Sequence, residues 1–271
     1  MLVFFKGKFI NEEDAHVSIN DRSFRFGDGV FETCLVVNGK LFDFAAHKKR
    51  FDAGLKFFKI KLSTSALKKN CEELVKRNKL KEGYIRIIAS RGVNGPDAVG
   101  YLPAKHDSYF VIQSFSKPYP KFREIKLFIS TIRAGNHTPS KINAALNYVM
   151  AMQEAKEAGC DNAIILDHDG NVCETASGNI FFVKGKTLYT PSTDLAFVPG
   201  TMRKKVIENW QGKVVEKKFK LKELFSADEI FMSNIGSVVA SVTSVKPGVH
   251  KFEKNVETKK IRKILDDLIK N

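Results

Sequence analysis

Close-spaced cysteine pairs are missing from this chain: Cys34, Cys71, Cys160 and Cys173 lie far apart with no CxxC among them. That excludes a thiolate metal cluster and argues against a disulfide framework, so reduced thiols are expected. No metal is expected either. No apolar run is long enough to cross a bilayer, and Met1 to Lys6 has none of the features of a signal peptide, which predicts a cytoplasmic protein without membrane association. Internal repeats and low-complexity segments are absent. Acidic residues are in short supply, 30 against 45 lysines and arginines, for a net charge of +15. A basic excess is the electrostatic footprint of nucleic-acid binders. Here, however, the cations are spread along the chain. The densest runs, 213–222 and 251–270, alternate with apolar residues as the wet faces of amphipathic elements do. Without a helix-turn-helix, zinc-finger or RNP-like motif beside them, nucleic acid is not expected as a partner; a cationic surface suits an anionic cofactor and substrate.

What is present is enough for a packed interior. With 43% apolar and 11% aromatic residues, 271 positions support two modest domains or one large one. The first half reads as a sheet: strands at Leu2 to Phe5, Phe9-Ile10 and His16 to Ile19, then extended chain from Phe24 to Leu41, with Gly27 and Gly29 as points of close backbone approach and Asn38-Gly39 as a hairpin turn. Phe44, His47, Phe51, Leu55 and Phe58 recur at helical spacing, with Arg50 beside that face. A helix over 63–78 and strands at 84–90 and 107–115 follow. Ser116-Lys-Pro-Tyr-Pro120 has the proline density of a linker, which predicts domains at 1–115 and 121–271 and an α+β fold.

The stretch from Ser140-Lys-Ile-Asn143 to Glu174-Thr-Ala-Ser-Gly-Asn179 carries the most chemistry. Ile142, Ala145, Leu146, Val149 and Met152 predict a helix with Lys141 at its mouth and Gly159 past its end. Ala163 to Asp167 reads as a strand and His168-Asp-Gly-Asn171 as a turn, with Glu174 on the returning strand. Taken alone, Lys141 is one exposed lysine among many, Glu174 a turn-flanking acid, and Arg50 one more cation on a basic helix.

Their company changes that reading. Asp21-Arg-Ser-Phe-Arg-Phe-Gly-Asp-Gly-Val-Phe-Glu-Thr33, His47-Lys-Lys-Arg50, the Lys141 run, Glu174 to Asn179 and Val198-Pro-Gly-Thr-Met-Arg203, in this order, resemble the class IV aminotransferases, pyridoxal-phosphate enzymes of fold type IV. This group includes D-amino-acid and branched-chain aminotransferases and aminodeoxychorismate lyase. The resemblance implies a two-domain, D-amino-acid aminotransferase-like fold, pyridoxal 5′-phosphate as cofactor in an interdomain cleft, and a homodimer. It implies that Lys141, in the C-terminal domain, is the Schiff-base lysine and the proton carrier. Glu174 becomes the partner of the pyridinium nitrogen and Arg50 the phosphate ligand, aided by Thr201 and Met202 at a helix start and by Ile235, Gly236 and Ser237. Ser177 and Asn179 fall in the cofactor-binding run, and Phe31, Arg91 and Tyr148 at substrate positions. The family more often has Gly-Ile-Thr-Arg where this chain has Gly200-Thr-Met-Arg203, which shifts the Thr201 assignment by up to a residue.

The reaction is less sharply marked. After Arg91-Gly92 the chain runs Val-Asn-Gly-Pro-Asp-Ala, without the Arg-x-His pair that holds the substrate carboxylate in D-amino-acid aminotransferases. Phe31-Glu-Thr33 and Asn234 resemble aminodeoxychorismate lyase, but that enzyme's Gly-Gly-Arg-Gly-Tyr spacing is broken. The first expectation is amino-group transfer between an amino acid and a 2-oxo acid. The lyase, making 4-aminobenzoate and pyruvate, is the alternative, and a non-catalytic anion- or nucleic-acid-binding member of the fold is the second.

Overall fold

The structure, a computed structural model, describes residues 1–95, 100–103, 107–135, 140–248 and 250–271. It divides into two compact units, Met1–Tyr119 with Pro139–Ala145, and Pro120–Thr138 with Leu146–Asn271. The segment bearing Lys141 therefore belongs to the first unit, not to the C-terminal domain where the sequence reading put it.

The first unit contains β1 (Leu2–Phe5), β2 (Lys8–Asn11), α1 (Arg22–Phe26), β3 (Gly29–Val37), β4 (Lys40–Leu41), α2 (Phe44–Phe57), α3 (Leu67–Arg77), β5 (Gly83–Ser90) and β6 (Tyr109–Ser116). Its strands form one antiparallel sheet in the order β2-β1-β6-β5-β3-β4. Strand alternation sends Ile85 and Ile87 inward and leaves Arg86 exposed. Those isoleucines pack with Val30, Cys34, Phe51, Leu55, Leu67, Cys71 and Leu74 in one core. Each fully buried aliphatic side chain there contributes roughly 1.5–3 kcal/mol.

Three local expectations fail in this unit. No strand forms at 16–19, where Val17 and Ile19 are exposed. Residues 22–26 are helical, not extended, because buried Asp21 caps α1: its Oδ1 accepts from the amides of Ser23 (2.8 Å) and Phe24 (3.2 Å). Gly27, at φ 66°, ends that turn in the left-handed conformation. On α2, Arg50 is buried along with Phe44, His47 and Phe51, so it lies on the inward face and not beside it.

The second unit contains β7 (Glu124–Arg133), α4 (Leu146–Glu157), β8 (Asn162–Leu166), β9 (Val172–Thr175), β10 (Asn179–Lys184), β11 (Thr187–Pro191), α5 (Thr201–Asn209), β12 (Val214–Lys217), α6 (Leu221–Phe225), β13 (Glu229–Asn234), β14 (Val238–Lys246), β15 (His250–Lys251) and α7 (Val256–Lys270). Its sheet runs β12-β11-β10-β13-β14-β7-β8-β9, with β15 on β14; the β11·β12, β14·β7 and β7·β8 pairs are parallel. Strand β12 arises from a Lys-rich run read only as a wet face. Helix α4 starts at Leu146, not at Ile142, and buries Ala151 and Ala155. Leu146 and Val149, assigned inward by their spacing, are exposed.

Candidate active site

In the first unit, Lys141 sits on an extended segment laid against β3. The Phe31 amide donates to Lys141 O (3.0 Å), the Asn143 amide donates to Gly29 O (3.0 Å), and Val30 and Ile142 form an antiparallel bridge. Asn143 Nδ2 adds bonds to Ser23 Oγ (2.6 Å) and Ala89 O (3.0 Å). Glycine makes the contact possible. A Cβ on Gly29 would stand 2.1 Å from Ala89 O and 2.3 Å from Asn143 Nδ2; one on Gly54 would stand 2.5 Å from the Ser140 Cβ. Gly27, expected with Gly29 to allow close approach, meets Ala144 in the same way. Clamped on both sides, Lys141 holds its Nζ over the Phe31 ring, 5.3 Å from the centroid.

Arg50 comes from α2. Its Nε donates to Glu32 Oε1 (2.6 Å) and its Nη2 to Glu32 Oε2 (2.8 Å), while His47 Nδ1 donates to the same Oε2 (2.8 Å). Burial alone would raise the Glu32 pKa; the Arg50 charge and the hydrogen bonds from Arg50 and His47 outweigh it and hold the carboxyl at about 2. Sequence reasoning passed over Glu32 as a site residue. The signal was there: alternation along β3 puts it on the inward face with Val30 and Cys34, and a carboxylate on a core face must have a partner.

Arg91, assigned to substrate, is committed elsewhere. Its Nε donates to Asp28 (2.7 Å), Nη1 to Lys59 O (3.1 Å) and Nη2 to Phe58 O (2.7 Å), and Arg22 Nε shares Asp28 (2.7 Å). Burial pushes the Asp28 pKa up, but the two guanidiniums prevail and hold it low. A guanidinium spent on tying α1 to the end of α2 is a structural one. Pro96 and Asp97, which break the lyase-like spacing, lie outside the described residues, as does most of the loop before Lys141.

In the second unit, Glu174 on β9 is buried. It accepts from Tyr148 Oη (2.7 Å) and, more distantly, from the Val198 amide (3.4 Å). Burial and the facing Glu174 charge both push the Tyr148 pKa up, keeping its hydroxyl a donor. Tyr148, read as a substrate residue, thus orients the carboxylate. Asn179 Nδ2 donates to Val198 O (2.9 Å) and its Oδ1 accepts from the Gly200 amide (3.1 Å), which fixes the entry to α5. Gly200 has no side chain to cap that helix, so Thr201 and Met202 present backbone amides at its N-terminus; the Met202 side chain is buried.

The 234–237 loop is braced from several directions. Asn234 Nδ2 donates to Ser177 O (3.0 Å), and Ser177 Oγ accepts from Asn162 Nδ2 (2.6 Å). The Ser237 amide donates to Asn234 Oδ1 (2.7 Å), Ser237 Oγ accepts from Arg123 Nη2 (3.2 Å), and Ser237 O accepts from Arg262 Nη1 (2.7 Å). Ser237 accordingly has its hydroxyl proton to offer an anion, but not its amide. Ser177 and Asn179, expected in the cofactor-binding run, brace the 234–237 loop and the entry to α5. Asn143 and Asn162 were given no role in advance because a lone asparagine carries no pattern of its own; Asn234 was noted only for its likeness to the lyase.

These residues fit pyridoxal 5′-phosphate, unit by unit: a clamped lysine amine and a buried arginine in the first, a buried carboxylate, an uncapped helix start and a hydroxyl-bearing loop in the second. All four cysteines are free thiols, with Cys34, Cys71 and Cys173 buried, and no metal-binding group of His, Cys, Asp and Glu occurs among the described residues. No helix among them is long and apolar enough to cross a membrane.

Comparison with known proteins agrees with the geometry. The sequence profile of the amino-transferase class IV family matches residues 29–245. A putative branched-chain-amino-acid aminotransferase of Methanocaldococcus jannaschii is 30% identical over 99% of this chain and 96% of its own. The aminodeoxychorismate lyase of Bacillus subtilis is 28% identical over 100% and 95%. Among solved structures, the branched-chain amino acid aminotransferase of Escherichia coli superposes with a TM-score of 0.90 at 26% identity, covering 99% of this chain and 94% of that one.

Proposed function

The chain belongs to the class IV aminotransferase family, and from that premise we propose that it is a pyridoxal-phosphate-dependent aminotransferase moving an amino group between an amino acid and a 2-oxo acid. The observation that carries the proposal is the clamping of Lys141 onto β3 by hydrogen bonds on either side, with its amine against Phe31. These bonds fix the main chain at Lys141, and the Phe31 ring lies against its amine. Pyridoxal 5′-phosphate, bound through its aldehyde, supplies the electron sink that lets a substrate Cα–H bond break.

The chain's own residues do the rest. Lys141 Nζ would hold the cofactor through its aldehyde and, when free, would serve as the base and acid that moves the substrate Cα proton. That role needs a neutral amine. Glu174, oriented by Tyr148, would hold a proton on the ring nitrogen. The groups that would bind a phosphate are Arg50 in the first unit and, in the second, the amides of Thr201 and Met202 and the Ser237 hydroxyl. Phe31 lines the substrate position.

Relatives named as aminotransferases and as a lyase match over nearly the full chain, so the lyase is the second reading. The test is incubation with a panel of D- and L-amino acids plus 2-oxoglutarate, and separately with aminodeoxychorismate. Transamination in the first supports the proposal; 4-aminobenzoate and pyruvate from the second, with no transamination, would replace it.

A further inference from the structure

Glu32 takes no part in the chemistry above, yet it is the most deeply buried acid facing a proposed ligand, at 0% exposure. A charge so placed is tolerated only when paired, and an apolar pair of the same volume would serve stability as well or better. The geometry of the pair suggests what the charge is for. Glu32 grips the Nε/Nη2 edge of Arg50 at 2.6 and 2.8 Å, and His47 fixes one of the two carboxylate oxygens from the same helix. A planar guanidinium held along one edge cannot turn. Its opposite Nη1/Nη2 edge then has one direction, so the rotamer entropy an arginine ordinarily loses on binding is lost at folding.

Building on Arg50 as phosphate ligand, we infer that Glu32 is a positioning residue for the cofactor phosphate: by fixing the plane of Arg50 it sets how strongly the site prefers a phosphorylated pyridoxal over an unphosphorylated one. Two effects of Glu32 oppose each other. Its negative charge cancels that of Arg50 and weakens the pull on a phosphate, while its bidentate grip preorganises the guanidinium. Only a substitution that keeps the charge and disturbs the grip separates them.

Glu32→Asp does this, since it withdraws the carboxylate by one carbon–carbon bond, about 1.5 Å, and breaks one arm of the pair. Affinities of the apo-chain for pyridoxal 5′-phosphate and for pyridoxal are measured by absorbance titration, with thermal unfolding as a check that each variant is folded. The expected result is at least about a tenfold loss of affinity for the phosphate ester, as for loss of a charge-assisted hydrogen bond, with pyridoxal affinity unchanged. Arg50→Lys is the second variant, independent of the first. It preserves every charge but offers no edge to hold, and should lose the preference for the phosphate ester to a similar extent. Unchanged preference in either folded variant, or an equal loss for both ligands in Glu32→Asp, overturns the inference. A wild-type chain that takes up neither ligand would instead overturn the cofactor assignment on which it rests.

Discussion

At the scale of single residues, the site separates groups that do chemistry from groups that hold them. Lys141→Ala removes the amine without touching the backbone bonds that clamp the segment; turnover should fall to background while the unfolding midpoint stays within a few degrees of wild type. Residual turnover near the wild-type rate would remove Lys141 from the mechanism. Tyr148→Phe deletes the 2.7 Å bond to buried Glu174 and leaves that carboxylate short of a partner. Roughly a tenfold loss of kcat is expected with cofactor retained, read by steady-state kinetics and bound-cofactor absorbance; an unchanged kcat would mean the tyrosine does not orient the acid. Of these residues, the sequence made Lys141, Arg50 and Glu174 legible because each sits in a run with a recognisable neighbourhood. Tyr148 was singled out as a substrate residue, and its bond to Glu174 was not foreseen. Glu32, Asn143 and Asn162 were given no role, because their roles come from strands and loops brought together over tens of residues.

At the scale of elements, the glycines are the most exacting choice. Gly29→Ala would push a methyl into Ala89 O and Asn143 Nδ2 at 2.1 and 2.3 Å, and neither the paired strand nor the clamped segment can yield cheaply. A loss on the order of 1–3 kcal/mol is expected for overpacking, together with weakened cofactor binding because the Lys141 segment is what moves. A variant as stable and as active as wild type would show that the segment is not clamped. Close approach at Gly27 and Gly29 was readable in advance, and α5 begins at Thr201, the helix start that the resemblance implied. The start of α4 was not. The apolar spacing from Ile142 continues smoothly into the helix, but Lys141 O and Asn143 N bond to β3, and pairing with a distant strand outweighs local periodicity.

For the whole molecule, pH offers a check that needs no substrate. The folded Glu32 titrates near 2 against an ordinary value of 4.5. A depressed folded pKa contributes stability that is fully present above the unfolded value and is lost as pH falls from 4.5 toward 2, here on the order of 3 kcal/mol. Asp28, also held low by arginines, acts in the same direction. Urea unfolding midpoints should therefore drop between pH 5 and pH 3, less steeply in a Glu32→Leu, Arg50→Met double variant; parallel curves would place the acid sensitivity elsewhere. A homodimer is proposed by kinship, and light scattering that gives a stable, active monomer would count against it. The mixed fold was legible in the alternation of strand and helix patterns, whereas the return of residues 139–145 to the first unit left no mark in composition.

The central claim, that one lysine among many in a strongly cationic chain is the cofactor's anchor, has a direct measurement. The purified protein is incubated with pyridoxal 5′-phosphate, reduced with borohydride, digested, and its peptides mapped by mass spectrometry. The account expects loss of the yellow absorbance and one phosphopyridoxyl group, on Lys141 alone. A label spread over surface lysines, or seated on a different one, would contradict it.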